Sequence, residues 1–196
     1  MLVMIEYETF NAKSNDAIDN KTKLLVETGL NSLPQKVNLL INKLEENQEG
    51  QVIVECPFGK RSKDLVRVIN GNNFKNNKIR PAKGMIVSLD GRRAIVKSVN
   101  GSRIIVDLNH PLANKDINYK IKILKKSKDN DISKTKMFLN FYSMEGEVEQ
   151  KDDKIIIKTK EDNDKKIENL LKNMKLIIKK DIQIVNPAVN KEIEQQ

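Results

Sequence analysis

The run from Gly84 to Lys115, GMIVSLDGRRAIVKSVNGSRIIVDLNHPLANK, constrains the fold more tightly than any other part of the chain. Apolar residues alternate with polar ones through Met85, Val87 and Leu89, through Ala94 and Val96, and through Ile104, Val106 and Leu108. A period of two, rich in β-branched residues, scatters around a helix but lines one face of a strand, so three half-buried strands are expected. Asp90-Gly91 and Asn100-Gly101 separate those strands, and both dipeptides suit the positive-φ turns of tight hairpins. The segment reads as a small antiparallel meander, closed by a compact turn at Asn109-His110-Pro111-Leu112-Ala113. Such a meander suits several functions, including a small barrel that binds RNA.

The closing residues are more specific. Val106-Asp107-Leu108-Asn109-His110-Pro111-Leu112-Ala113, followed by Tyr119-Lys120-Ile121-Lys122-Ile123, resembles the end of the insert-in-flap segment of SlyD-like FKBP-type peptidyl-prolyl isomerases. In that family a V-D-x-N-H-P-L-A-G-K stretch leads back into the last strand of the isomerase domain. Asn114 stands here where the family has Gly.

Composition sets the outer bounds. The 196 residues are enough for one medium domain or two small ones. The formal net charge is +9, and lysine supplies most of the positive charge, interspersed with Asp and Glu. That mixture reads as a solvated basic surface in preference to a nucleic-acid site. Aromatics are only 4% and Trp is absent, which gives little sign of the stacking platform used by single-strand binders. Cys56 is the single cysteine, so no internal disulfide forms, and a buried, inert thiol in a reducing cytoplasm is expected. The N-terminal MLVMIEYETF has no basic leader and carries Glu6 and Glu8, and no apolar run is long enough to span a bilayer. A cytoplasmic protein with no membrane partner is the expectation.

Along the chain, Leu2 to Glu8 reads as a strand, Asn11 to Asn20 as a polar loop, and Leu24-Leu25-Val26 as a short buried strand. Val37, Leu40, Ile41 and Leu44 recur at helical spacing, with Pro34 suited to the first turn. Gly50 to Val54 and Tyr119 to Leu124 complete a small sheet around one short helix. The insert opens with Leu65 to Ile69 and a loop at Gly71-Asn72-Asn73, then Phe74 and the Ile79-Arg80-Pro81 corner. KKSKDNDISK, from Lys125, has the composition of a polar hinge. Beyond it come a hairpin at Asp152-Asp153, a helix from about Asp164 to Lys179, a strand at Ile182 to Val185 and a fraying NKEIEQQ tail.

The expected fold class is therefore α+β: an FKBP-like antiparallel sheet around a short helix (1–61 with 117–124), an inserted all-β insert-in-flap domain (62–116), a hinge (125–135) and a C-terminal α+β domain (136–196). The last part resembles the extra domain of long-type archaeal FKBPs and is a possible site of homodimerisation.

Isomerase chemistry needs no acid, base, metal or cofactor, and none is expected here. An apolar basket strips water from the prolyl ring, and one or two hydrogen bonds favour the twisted amide that has lost its resonance. The resemblance carries this over motif by motif. Ile5-Glu6-Tyr7 matches the family's early V-x-Y strand and makes Tyr7 a pocket-edge residue. Ile18-Asp19 matches its hydrophobic–Asp pair and makes Asp19 the pocket carboxylate. Leu33-Pro34-Gln35-Lys36-Val37 falls where the family has V/L-I-x-G-W/L, and Pro57-Phe58-Gly59 falls on its A-Y-G. Tyr119 matches the aromatic of the returning strand.

The departures define the open question. Phe58 lacks the Tyr hydroxyl, Pro34 lacks the backbone N–H, Val37 replaces a floor aromatic or Leu, and Val26 stands where an aromatic wall would be. His110, the only histidine, has no partner histidine and reads as a turn residue; the His/Cys-rich metal-binding tail of bacterial SlyD is missing, and no metal site is expected. Leu65, Val66, Phe74, Met85 and Val87 are the insert residues expected to hold client chain.

The implied function is that of an FKBP-type isomerase and folding chaperone, whose partners are unfolded or proline-containing polypeptides, with the ribosome as a further possibility. One alternative is a holdase without catalysis. The other is an RNA- or ribosome-associated β-barrel protein using Arg92, Arg93 and Arg103.

Overall fold

The structure is a computed structural model in which residues 1–28 and 33–186 are described; the tail expected to fray lies outside them. Among the described residues the strands are β1 (Leu2–Asn11), β2 (Ala17–Glu27), β3 (Glu49–Val54), β4 (Val66–Asn70), β5 (Ile86–Leu89), β6 (Arg92–Asn100), β7 (Arg103–Asp107), β8 (Ile117–Lys126), β9 (Gly146–Lys151), β10 (Lys154–Thr159) and β11 (Asp181–Val185). The helices are α1 (Gln35–Lys43), α2 (Gly71–Asn76), α3 (Asp131–Phe141) and α4 (Asp164–Met174). This is an α+β chain, and most of its strand pairs are antiparallel. It divides into two compact units, one of residues 1–10, 14–53 and 118–196, the other of 11–13 and 54–117.

The first unit holds a four-stranded sheet in the order β2-β1-β8-β3. Alternation along β1 sends Leu2 and Met4 to one face and Val3 and Ile5 to the other, and all four are buried. Leu2 and Met4 join Met137, Phe138, Leu139, Ile155, Ile157, Leu170 and Met174 in one apolar core. α1 lies against the same sheet, because Leu40 and Leu44 sit directly over the bare backbone of Gly50 in β3. Beyond those cores the sheet surface is charged, with Lys21 on Glu6 at 2.7 Å and Lys122 on Glu49 at 3.4 Å.

The C-terminal part is a sheet in the order β11-β10-β9, its parallel β10–β11 pair joined through α4. Asp152, at φ 49°, turns the β9–β10 hairpin. α4 is shorter than the periodicity implied and ends at Met174, although Ile178 beyond it is still buried.

Further segments differ from expectation for physical reasons. The polar loop expected over Asn11 to Asn20 is short, because β2 already begins at Ala17 and pairs with β1 from Phe10. β2 is the edge of its sheet, so its residues Asp19 to Lys23 stay exposed and leave no apolar signal to read.

The stretch 125–135, expected as a hinge, is built into the first unit. β8 runs to Lys126, and α3 starts at Asp131 behind an N-cap in which the Asn130 side chain accepts from the Ser133 N–H at 2.8 Å. Between them Ser127 is buried, donating its N–H to the Leu2 carbonyl at 2.8 Å while its Oγ accepts the Leu2 N–H at 2.9 Å. Lys134 reaches Glu27 at 3.2 Å and Asp129 at 3.3 Å. Burial would lower the Lys134 pKa, but the bonds to those two carboxylates outweigh it and raise it. Limited trypsin should therefore spare the 125–136 stretch in the parent. Lys134→Ala, which leaves the half-buried Glu27 carboxylate with only the N-terminal ammonium at 3.4 Å, should make this stretch the first interior cut. Early cleavage there in the parent would show that the link is open.

The second unit is an antiparallel sheet in the order β4-β7-β6-β5. Asp90 and Gly91, at φ 51° and 72°, form the β5–β6 turn, as the dipeptide suggests. Phe74, Ala94, Val96, Ile104 and Val106 fill its core. The expected loop at Gly71 to Asn73 is α2 instead, started by the Asn70 side chain accepting the Asn72 N–H at 2.9 Å and anchored by buried Phe74.

Candidate functional site

In the first unit, three residues expected at the pocket lie on neighbouring strands, Tyr7 on β1, Asp19 on β2 and Tyr119 on β8. Tyr7 continues the Val3–Ile5 face, and the β1–β2 register slips on both sides of Thr9. Irregularities of this kind re-aim side chains. Thr9 is 3% exposed; its Oγ donates to an Asp19 carboxylate oxygen at 2.8 Å and accepts the Asp19 N–H at 3.1 Å. The Asp19 carboxylate is thereby held in one direction on an otherwise exposed strand. Tyr119, on β8, is almost fully buried, and its phenol is pushed up by burial and then by the charges of Asp19 and Tyr7. Tyr7, Asp19 and Tyr119 thus lie within electrostatic reach of one another. Thr9 joins them; its small polar side chain, in an otherwise apolar alternation, was the only signal for it.

Val26 and Val37 are fully buried, Val26 pairing directly with Val3 across the β1–β2 pair and Val37 lying on the inner side of α1. Pro34 stands just before the helix and not in its first turn: at φ −53° and ψ 142° it is the N-cap, and its carbonyl accepts the N–H groups of Val37 and Asn38. Leu33, half-buried, accepts the Asn38 side-chain amide at 3.1 Å. Phe58 belongs to the second unit; it is 41% exposed and stacks flat on His110, with centroids 4.3 Å apart and planes 6° from parallel. The structure therefore groups Tyr7, Asp19 and Tyr119, and places Phe58 with His110.

The second unit carries an open groove of about 540 Å³ lined by Ile69, Phe74, Ile79, Met85, Ile86 and Val87 among others. Of the expected client-binding residues, Phe74, Met85 and Val87 line it. Leu65 and Val66 do not; Leu65 ends a 3-10 turn over Lys63–Leu65, and Val66 starts β4. Ile86, 52% exposed, and Ile79, 37% exposed, extend the apolar lining and fall outside the period-two pattern of the strands.

The V-D-x-N motif forms a clasp. Asp107 is 4% exposed and accepts the Asn109 N–H at 3.0 Å and the Asn109 side-chain amide at 2.8 Å. Its other oxygen takes the Arg61 guanidinium, with Lys97 at 3.7 Å. Asn109 in turn accepts the Ser62 N–H and donates to the Ser62 carbonyl. Burial would raise the Asp107 pKa, but the Asn109 bonds and Arg61 outweigh it and hold the carboxyl below its ordinary range. The clasp ties residues 61–62, ahead of β4, to 107–109 at the end of β7. Asn114 sits at φ 63°, the left-handed region that glycine favours and Asn tolerates, which explains the substitution. Its side chain accepts the Arg61 N–H at 3.0 Å.

His110 stabilises its turn by accepting the Leu112 N–H at its Nδ1. Cys56 is half-buried, not buried, with its thiol 3.6 Å from Asp116 and pushed up chiefly by burial. Among the described residues no three His, Cys, Asp or Glu side chains gather as they would around a metal ion, and no helix is long and apolar enough to cross a membrane.

Residues 67–112, under a quarter of the chain, match the family model described as FKBP26, IF domain, the insert-in-flap domain of an FKBP-type peptidyl-prolyl isomerase. The match covers most of the second unit and supports an FKBP-family protein. No curated protein matches the chain.

Proposed function

We propose that this chain is an FKBP-type peptidyl-prolyl cis-trans isomerase and folding chaperone of a reducing, cytoplasmic compartment, and that its insert holds non-native chain. The observation that carries the reading is the insert-in-flap match over residues 67–112. Two features support it. The apolar groove along β5 and α2 exposes Ile79, Met85 and Ile86, a surface suited to extended apolar chain. In the first unit, Tyr7, Asp19 and Tyr119 form a partly buried aromatic and carboxylate cluster of the type that could cradle a prolyl ring.

Catalysis by such a site is electrostatic and conformational. The buried aromatic face removes water from the X-Pro amide, which lowers the cost of breaking its resonance. Asp19, aimed by Thr9, would orient the substrate or polarise the amide. Uncatalysed X-Pro exchange takes tens to hundreds of seconds, so even modest acceleration matters to a folding chain.

The chaperone half is tested by the double variant Met85→Ser, Ile86→Ser, which removes apolar surface at exposed positions and leaves the core intact. The parent should suppress aggregation of a chemically denatured client, and the variant should lose most of that suppression. Equal suppression by both would move client binding away from the groove. A holdase without catalysis remains the second reading, because Phe58 lacks a hydroxyl and Pro34 lacks an N–H.

A further inference from the structure

Counted over the whole chain, positive and negative residues look evenly mixed; divided between the units, they do not. The second unit, residues 11–13 and 54–117, contains 14 Lys and Arg against 5 Asp and Glu, a net of +9. The whole chain has 36 against 27, also +9, so the first unit has 22 of each and is neutral. All six arginines, at 61, 67, 80, 92, 93 and 103, lie in the second unit, while the rest of the chain draws its positive charge from lysine alone.

Two of the six are engaged within the fold: Arg61 on Asp107, and Arg67 on Asp90 at 3.2 Å. Arg80, Arg92, Arg93 and Arg103 are exposed and, among the described residues, have no carboxylate within ion-pair distance. Arg93 faces Ser88 across the β5–β6 pair, and Arg103 faces Asn100 across the β6–β7 pair. By alternation Arg93 shares a sheet face with Ile95, and Arg103 shares that face with Ile105, through the Ile95–Asp107 pair. Arg92 and Arg93 also line a groove of about 400 Å³ with Ile95, Leu108, Asn109, His110 and Pro111. Because His110 Nδ1 accepts the Leu112 N–H, the ring's Nε2 is the nitrogen left to donate. The Phe58 ring lies flat on the same imidazole and is itself 41% exposed.

We propose that the insert binds the phosphodiester backbone of a single-stranded nucleic acid along the sheet face that carries Arg93 and Arg103 and the adjoining groove lined by Arg92 and His110. Three features favour that occupant over an acidic polypeptide or an anionic bilayer. Guanidinium forks match phosphate oxygens bidentately and also stack on bases, which explains arginine where lysine supplies charge elsewhere. Phosphates repeat with every nucleotide, which suits cations spread along two hairpins better than isolated carboxylates do. Exposed Phe58, one face on His110, leaves the other face of its ring for a base to stack on, and Ile95 and Ile105 add apolar surface beside the arginines, whereas a bilayer would call for a deeply inserting apolar helix face that this sheet does not offer. The site does not depend on the isomerase reading.

The test is fluorescence anisotropy of the full-length chain with labelled 20-nucleotide single strands of mixed sequence, as RNA and as DNA, across a salt series. Binding to single strands should weaken with a slope of about −0.7 per neutralised phosphate on a log–log plot. The triple variant Arg92→Gln, Arg93→Gln, Arg103→Gln should flatten that slope by about 2 and weaken binding roughly tenfold or more at moderate salt. The matching triple of lysine substitutions at those arginines should restore the slope, which excludes misfolding as the cause. Removing as much charge from the first unit, with Lys136→Gln, Lys165→Gln and Lys172→Gln, should change the slope little. Absence of binding would overturn the proposal, as would an equal loss in the first-unit variant. Equally tight, arginine-dependent binding of polyglutamate or of phosphatidylserine vesicles would assign the face to that other partner.

Discussion

Asp107→Ala should lower the stability of the second unit by about 3 kcal/mol, the scale for removing one partner of a buried ion pair. The carboxylate is 5% exposed on its side chain and receives two bonds from Asn109 and a guanidinium from Arg61. Without it, the Asn109 N–H and amide lose their acceptor inside the fold, and the strand entering the insert loses its tie to the strand leaving it. The same group gives a pH dependence. Its folded pKa lies below the ordinary value of 3.8, so its stabilisation is complete above that value and is lost as pH falls through the folded pKa. Chemical denaturation across roughly pH 2 to 7 should show an acid limb that Asp107→Asn flattens. An unchanged acid limb in Asp107→Asn, or a loss in Asp107→Ala within about 0.5 kcal/mol of zero, would show that the clasp does not hold the insert.

On the proposed isomerase reading, in which Pro57-Phe58-Gly59 matches the family's A-Y-G, Phe58→Tyr should raise activity five- to thirtyfold in kcat/KM, the effect of one added hydrogen bond worth about 1–2 kcal/mol in the transition state. The ring is 41% exposed and stacked on His110, so a para hydroxyl can be solvated or can meet substrate without disturbing a core. Stability should therefore stay within about 0.5 kcal/mol of the parent. Asp19→Ala should act in the opposite direction. Thr9→Val, which keeps the shape but releases the carboxylate, should reproduce part of that loss through kcat more than through KM. An Asp19→Ala variant as active as the parent would reduce the Thr9–Asp19 pair to a strand-edge contact.

The parts legible in the sequence were those in which side chains alternate against a core. The Met85 to Leu108 meander and the Asp90-Gly91 and Asp152-Asp153 turns each follow from period-two patterning or turn chemistry. The first part of edge strand β2, before Leu24, was hidden because its polar residues face solvent on a strand whose pairing is supplied by β1. α3 was hidden because a lysine-rich segment reads as a linker, and only its burial against Leu2 and Met4 makes it a helix of the core. α2 was hidden because one aromatic, Phe74, anchors a helix too short to show a period. The family resemblance pointed to Tyr7, Asp19 and Tyr119, which the structure brings near one another, but no motif contained Thr9, whose bonds to Asp19 exist only across the strand pair. The clustering of arginine was present in the sequence throughout, and it became visible only when the chain was divided along its two compact units.

Protease-coupled proline isomerisation of a short X-Pro peptide by the full-length chain tests the isomerase assignment most directly. The parent should accelerate exchange measurably over the uncatalysed rate, Phe58→Tyr should accelerate it further, and Asp19→Ala should bring it back toward background. Background rates in both the parent and Phe58→Tyr would contradict the isomerase and leave the insert as a holdase.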